Sequence, residues 1–320
     1  MTLDRRTLLK LGGVAAAATA LPVTAASAAN AATPLRAAAA QPRWPGHQPG
    51  RIILGAASSE WDRTVADLGQ LGAHRTFYQW GLTSREEATI RTDHAEQRMP
   101  WVSFKPPAGH SSWDAVAAGQ YDADIRRRAR FYAGFDKPVI VTFHHEPTDD
   151  APTRGDSYSR AWCRVHDIMA DETGLQNVVS VPITTQWIFN PWNRQDDPRE
   201  WATGPILDRA HFFAVDLYHN ASQQGLDERL GVVMDHLDAM GHPELMVGIG
   251  EIGATDEFPG YSGADWWREQ WLWAKQHTDR LGIISYFNTP HKHDWTLWES
   301  ETKMLYFQWA LKSRVSAIRV

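Results

Sequence analysis

The sequence predicts an α/β fold, a single (β/α)8 TIM barrel, on three observations. Short apolar and often β-branched runs recur eight times from residue 51 onward, with starts 23 to 39 residues apart. Amphipathic stretches long enough for helices fill most of the gaps, an alternation that implies a parallel sheet with helices outside it. No run leads into the Gly-x-Gly-x-x-Gly turn of a dinucleotide-binding sheet, and no internal repeat suggests a solenoid.

In chain order the strands fall at residues 51–54, 74–80, 101–105, 139–144, 178–184, 212–218, 245–250 and 283–287. Helical patterns occupy 61–71, 85–97, 121–132, 158–172, 226–240 and 264–278, where apolar residues return every three or four positions. Cys163 lies in the fourth of these helices and reads as a small buried filler.

Ahead of the barrel, Asp4-Arg5-Arg6-Thr7-Leu8-Leu9-Lys10 precedes an Ala-rich run from Leu11 to Ala26, closed by the small-x-small site Ala26-Ser27-Ala28. These three parts make an export signal, and the arginine pair resembles a twin-arginine leader. The run is too short and too rich in Ala, Gly and Thr for a membrane anchor. The chain therefore divides into a signal (1–28), an Ala/Pro-rich linker (29–48) and one catalytic domain (49–320), and the mature protein is expected to be secreted, monomeric and free of the membrane.

Composition narrows the partners. The formal charge of −6 gives no attraction to nucleic acid, and no basic stripe offsets it. One cysteine excludes an internal disulfide and a cysteine-rich zinc site. Sixteen tryptophans in 320 residues are more than core filling needs.

A barrel carries its chemistry at the carboxyl ends of its strands. Strand 4 delivers His144-His145-Glu146-Pro147, strand 7 delivers Glu251-Ile252-Gly253, and strand 6 ends Asp216-Leu217-Tyr218-His219. Two glutamates at the ends of apolar strands are partly desolvated and need a reason to be there. One reason is a pair of buried, ion-paired carboxylates closing the barrel mouth. The other is glycosidic-bond hydrolysis, in which one carboxyl stays protonated to serve the leaving oxygen and its partner stays ionised. His145, Asp216 and the apolar wall are the groups that would separate the two.

Strand-4 and strand-7 glutamates on such a barrel resemble the large clan of retaining glycoside hydrolases. His145-Glu146, where most of that clan has Asn-Glu, is similar to glycoside hydrolase family 26, the family that contains mannanases. Val247-Gly-Ile-Gly-Glu251-Ile-Gly253 resembles its nucleophile strand, and Phe213-Ala-Val-Asp216-Leu-Tyr218 its strand 6. The resemblance implies Glu146 as acid/base, Glu251 as nucleophile, Tyr218 as the group that bonds and orients Glu251, and His145 as a support for the acid/base or the sugar. It implies no cofactor. Pro147, and strand 8 ending Ser285-Tyr286-Phe287-Asn288 without a tryptophan, depart from the pattern where sugars are recognised.

Flat aromatic rings stack on pyranose faces, so tryptophans beside strand ends are expected to bind a polysaccharide or oligosaccharide: Trp80, Trp187, Trp192, Trp295 and Trp298, with His144 and His219 as polar contacts. Trp266 and Trp273, seven residues apart on one helix, read as core. The expected function is a secreted, endo-acting retaining hydrolase of a β-linked polysaccharide such as mannan, β-glucan or xylan. Two alternatives stand beside it. His144-His145 and His291-Lys292-His293-Asp294 offer ligands for a metal-dependent barrel hydrolase, although strand 1, where such enzymes usually carry a histidine pair, leads into Gly55-Ala56-Ala57-Ser58. A barrel that binds glycan without cleaving it is the second.

Overall fold

A computed structural model of the chain describes residues 43–320. The signal at 1–28 and the linker up to residue 42 lie outside the described residues. Eight parallel strands follow one another around a barrel: β1 (Ile52–Ser58), β2 (Ala73–Tyr78), β3 (Met99–Phe104), β4 (Val139–Phe143), β5 (Val178–Ser180 and Ile183–Thr185), β6 (Phe213–Tyr218), β7 (Val247–Gly253) and β8 (Leu281–Asn288). Each pairs with its neighbour in sequence, and β1 closes against β8 from Ile53–Ile283 to Ser58–Asn288. The seam lies in β5, which Pro182 divides because it has no N–H to give a ladder. The first half of β5 pairs with β4 and the second with β6. Val181 N–H still reaches the Val141 carbonyl (3.0 Å), and the Pro182 carbonyl still accepts from Ala214 N–H (3.1 Å).

The outer helices are α1 (Trp61–Leu68), α2 (Ser84–Ala95), α3 (Asp122–Ala133), α4 (Gly155–Thr173), α5 (Leu226–Ala239), α6 (Gly263–Ala274) and α7 (Glu301–Leu311). Starts are set by side chains that accept a free N–H: Thr83 from Glu86 at α2, Ser262 from Asp265 at α6, Ser300 from Lys303 at α7. Between β5 and β6 there are only short turns, including Pro198–Trp201 and Gly204–Leu207, as expected from a stretch without helical periodicity. α7 had no amphipathic signature and was not anticipated. On α6, Trp266, Trp267 and Trp271 are fully buried while Trp273 is only partly covered and stacks on His277 at 3.8 Å. The expected pairing of Trp266 with Trp273 is thus corrected: Trp267, packed on Tyr286 and Phe307, holds the inner face.

Alternation sorts each strand. Val139, Val141 and Phe143 of β4 join the apolar layer under the helices, whereas Ile140 joins Ile53, Ala73, Met99, Trp101, Ile183, Ala214 and Ile283 inside the barrel. Trp44 plugs that interior from below: it is 3% exposed, lies 4.6 Å from the Phe212 ring, and fits because residue 282 is glycine, whose Cβ would come 2.2 Å from the indole. Residues 43–48, expected to be tether, are therefore part of the barrel floor. An indole buried there contributes about 2 kcal/mol or more. Above this floor the inward positions turn polar, and the site begins.

Candidate active site

β4 ends at Phe143 and the next three residues make a reversal. His144 and Glu146 both have left-handed backbones, with φ of 52° and 49°. Pro147 bars Glu146 from the right-handed helical region and starts the turn Pro147–Asp150. Such conformations cost a non-glycine residue roughly 1 kcal/mol or more and persist only when their surroundings enforce them. Here Phe104 carbonyl holds His144 N–H (2.9 Å) and Ile183 carbonyl holds Glu146 N–H (3.1 Å).

The reversal points His144 away from the barrel mouth and brings His145 and Glu146 to it. His144 is fully buried; its Nδ1 accepts from Trp113 Nε1–H at 2.8 Å and its Nε2 donates to Asp150 Oδ2 at 2.5 Å. An indole can only donate, so Nδ1 is bare and Nε2 carries the proton. Burial lowers this imidazole to about 4, so it is neutral. His144 was expected to contact sugar but is fully buried and does not line the cavity: it fastens the loop that carries Glu146. His145 faces the cavity with its ring 5.1 Å from Phe77, and burial, helped by the Arg75 charge, holds its imidazole well below the ordinary range.

Glu251 lies inside β7 rather than after it. The strand slips register against β6 between Val215–Ile249 and Asp216–Glu251, so the extra residue, Gly250, forms a bulge. A Cβ at Gly250 would come within 2.3 Å of Asp216 Oδ1 and 2.9 Å of Arg75 Nη1, so only glycine admits both groups. Glu251 Oε1 accepts from Arg75 Nη2 at 3.1 Å, and its Oε2 accepts from the Tyr218 hydroxyl. Arg75 is 1% exposed, rises from β2 on the other side of the barrel, and also lies 3.5 Å from Asp216 Oδ2. The indole of Trp295 packs 4.9 Å from the Tyr218 ring.

These carboxyls occupy different environments. Burial, then the charge of Glu251, raises Glu146 to about 8. Burial, then the charge of Glu251, also pushes Asp216 well above the usual carboxylate range, and Arg75 Nη2 lies nearer Glu251 (3.1 Å) than Asp216 (3.5 Å). The Tyr218 hydroxyl is pushed up by burial and remains a donor. Glu146 and Glu251 open into one cavity of about 690 Å³, and a second depression of about 1080 Å³ over β1 and β2 shares Phe77 and Phe287 with it. The barrel mouth thus carries a groove of ligand-binding size.

No family model matches the chain, and no curated protein does. Solved structures do. A Bacillus subtilis mannanase, BCman, aligns at 13% identity and a TM-score of 0.56 over 84% of this chain and 94% of that one. The β-mannanase from a symbiotic protist of the termite Reticulitermes speratus, complexed with gluco-manno-oligosaccharide, aligns at 12% and 0.56 over 86% and 95%. GH26C from Muricauda sp. MAR_2010_75 aligns at 12% and 0.59 over 83% and 87%. The likeness is one of fold. The (β/α)8 barrel anticipated from the sequence is the architecture the chain has.

Of the residues singled out from sequence, Glu146, Glu251, His145, Asp216, Tyr218, Trp187, His219 and Trp295 line the cavity. His219 reaches it as wall: its ring nitrogens meet Thr255 carbonyl (2.9 Å) and Gln223 Oε1 (2.5 Å), and it stacks on Trp266. Trp80, Trp192 and Trp298 are not among the lining residues. Trp80 turns toward α3 and donates to Asp124 (3.2 Å), and Trp298 donates to Asp67 (2.7 Å) beneath the Arg63 guanidinium. Trp192 lies 70% exposed on the loop after β5. His291, Lys292 and His293 border the cavity, and His293 Nδ1 meets Glu257 at 2.5 Å. Among the described residues no three His, Cys, Asp or Glu converge as metal ligands. Arg75, Phe77 and Phe287 were missed. A charge between apolar positions of a strand was the available signal for Arg75.

Proposed function

We propose that the chain is a retaining glycoside hydrolase that cleaves a β-linked polysaccharide internally, with Glu146 as acid/base and Glu251 as nucleophile. The observation that carries this reading is the unequal pair in one groove: a carboxyl raised to about 8 facing the same cavity as a carboxylate held by Arg75 and Tyr218. At neutral pH Glu146 holds the proton that the leaving oxygen needs. Glu251 attacks the anomeric carbon, the glycosidic C–O bond breaks as Glu146 gives up its proton, and a glycosyl-enzyme forms. Glu146, now a base, takes a proton from water, whose oxygen displaces Glu251 and restores both groups.

Trp187, which is exposed, and Trp295 line the cavity and supply stacking surfaces, and the adjoining depression over β1 and β2 offers room for further sugar units, which supports internal attack. Mannanases are among the solved structures that share this fold, which puts β-mannan first among the substrates to try. The leader at 1–28 supports export through the twin-arginine route and action outside the cell as a monomer, without cofactor.

Glu146→Gln and Glu251→Gln each should reduce turnover by at least ~10³-fold with the fold retained by circular dichroism, although Glu251→Gln, which leaves Arg75 without its carboxylate, should also lower the melting temperature. Proton NMR of the first product should show the β anomer before mutarotation. Near-native turnover in either variant, or an inverted first product, refutes the assignment.

A further inference from the structure

The groove carries a positive charge that the barrel does not neutralise. Four arginines are deeply buried among the described residues, and three face a carboxylate: Arg75 with Glu251, Arg98 with Asp93, Arg128 with Glu86. Arg229, in the first turn of α5, is the exception. It is 8% exposed, its Nε donates to Gln186 Oε1 (2.9 Å) and its Nη1 to the Tyr218 carbonyl (2.6 Å). Both acceptors are neutral, so three of its five N–H donors are left over. Burial alone lowers it, to about 10, with no neighbouring carboxylate working against the shift, and it remains a cation at neutral pH.

A buried, unpaired charge is costly, and a neutral side chain could make the same two bonds. Arg229 lines the same cavity as Asn220 and Trp187, and its partner Gln186 is next to Trp187 in the chain. Lys292 also borders this cavity, is exposed, and among the described residues is in no ion pair. Resting on the glycosidase reading above, we propose that Arg229 builds a subsite for an acidic sugar unit, its planar fork taking a carboxylate or sulfate while Trp187 lies on the ring. The substrate class is then an anionic β-glycan rather than a neutral one, and Lys292 adds attraction at the rim.

The test uses the full mature chain carrying Glu251→Gln, so that glycans bind without turnover. Calorimetry or affinity electrophoresis compares oligosaccharides of β-1,4-mannan and β-1,4-glucan in three forms: neutral, oxidised at C6 to uronate, and sulfated. At low ionic strength an anionic form of one backbone should bind about tenfold or more tighter than its neutral parent, and salt should erode the difference. Preference for the uronate or for the sulfate identifies the group. Adding Arg229→Met should abolish the preference, and Arg229→Lys, which keeps the charge if methionine unsettles the fold, should keep only part of it. Equal binding of neutral and anionic forms overturns the subsite while leaving the hydrolase standing. Failure of every form to bind overturns both.

Discussion

Replacing Arg75 with methionine removes the one positive charge that faces Glu251 from inside the barrel. At 3.1 Å and an effective dielectric of about 20, the attraction between the two is on the order of 5 kcal/mol. Methionine keeps most of the volume but leaves a carboxylate buried at 4–6% exposure without compensation, a loss of roughly 3–5 kcal/mol in stability. Urea unfolding at neutral pH should show the loss as a lower midpoint. Activity follows the same logic: Glu251, the proposed nucleophile, loses the donor that orients it, which should lower kcat/KM by about 100-fold or more at neutral pH, equivalent to ~2.7 kcal/mol. An Arg75→Met protein within tenfold of wild type would show that the guanidinium does not position the proposed nucleophile.

Three further outcomes follow from the same geometry. Activity should decline above pH of about 8 as Glu146 loses its proton, and carbon-13 NMR of Glu146 should find it titrating lower in Glu251→Gln, because the charge of Glu251 is the second cause of its rise. That titration has a stability counterpart: a carboxyl raised from 4.5 to about 8 on folding gives a contribution complete below 4.5 and lost as pH climbs through 8, measurable by chemical denaturation. Trp187→Ala should raise KM several-fold with little change in kcat, whereas Trp298→Ala, outside the groove, should leave KM unchanged. Trp113→Phe deprives His144 Nδ1 of its donor, leaving a buried acceptor at a cost of about 1–3 kcal/mol; kcat should fall by roughly tenfold with KM nearly constant, because the loop that carries Glu146 loosens while the sugar surfaces stay in place.

Strand order, and with it the placement of Glu146 and Glu251 at one end, was legible because apolar runs at barrel spacing leave few alternatives. The limits were local. β1 continues through Gly55-Ala56-Ala57-Ser58, small residues that look like a loop, since inside a crowded barrel small is what fits. Glu251 read as following its strand because a bulge at Gly250 leaves no mark except the glycine itself. Arg75 and Glu251 are separated by 176 residues and meet only when the barrel closes. Histidine beside the proposed acid/base suggested contact with sugar, yet two left-handed residues turn His144 into the wall. Tryptophan at a strand end has the same ambiguity, and hydrogen bonds to Asp124 and Asp67 draw Trp80 and Trp298 outward.

The divided strand β5 has a consequence for how the molecule fails. β4 and β6 each pair with only one half of β5, so at Pro182 the circle is completed by covalent chain and single hydrogen bonds more than by a shared ladder. Glu146 hangs from that seam through Ile183, while Glu251 sits on the far, continuous arc between β6 and β8. Mild heating should therefore part the two carboxyls before the barrel melts: amides at 181–185 exchange early, catalysis disappears at a temperature where the far-ultraviolet signal is still native, and cooling restores both.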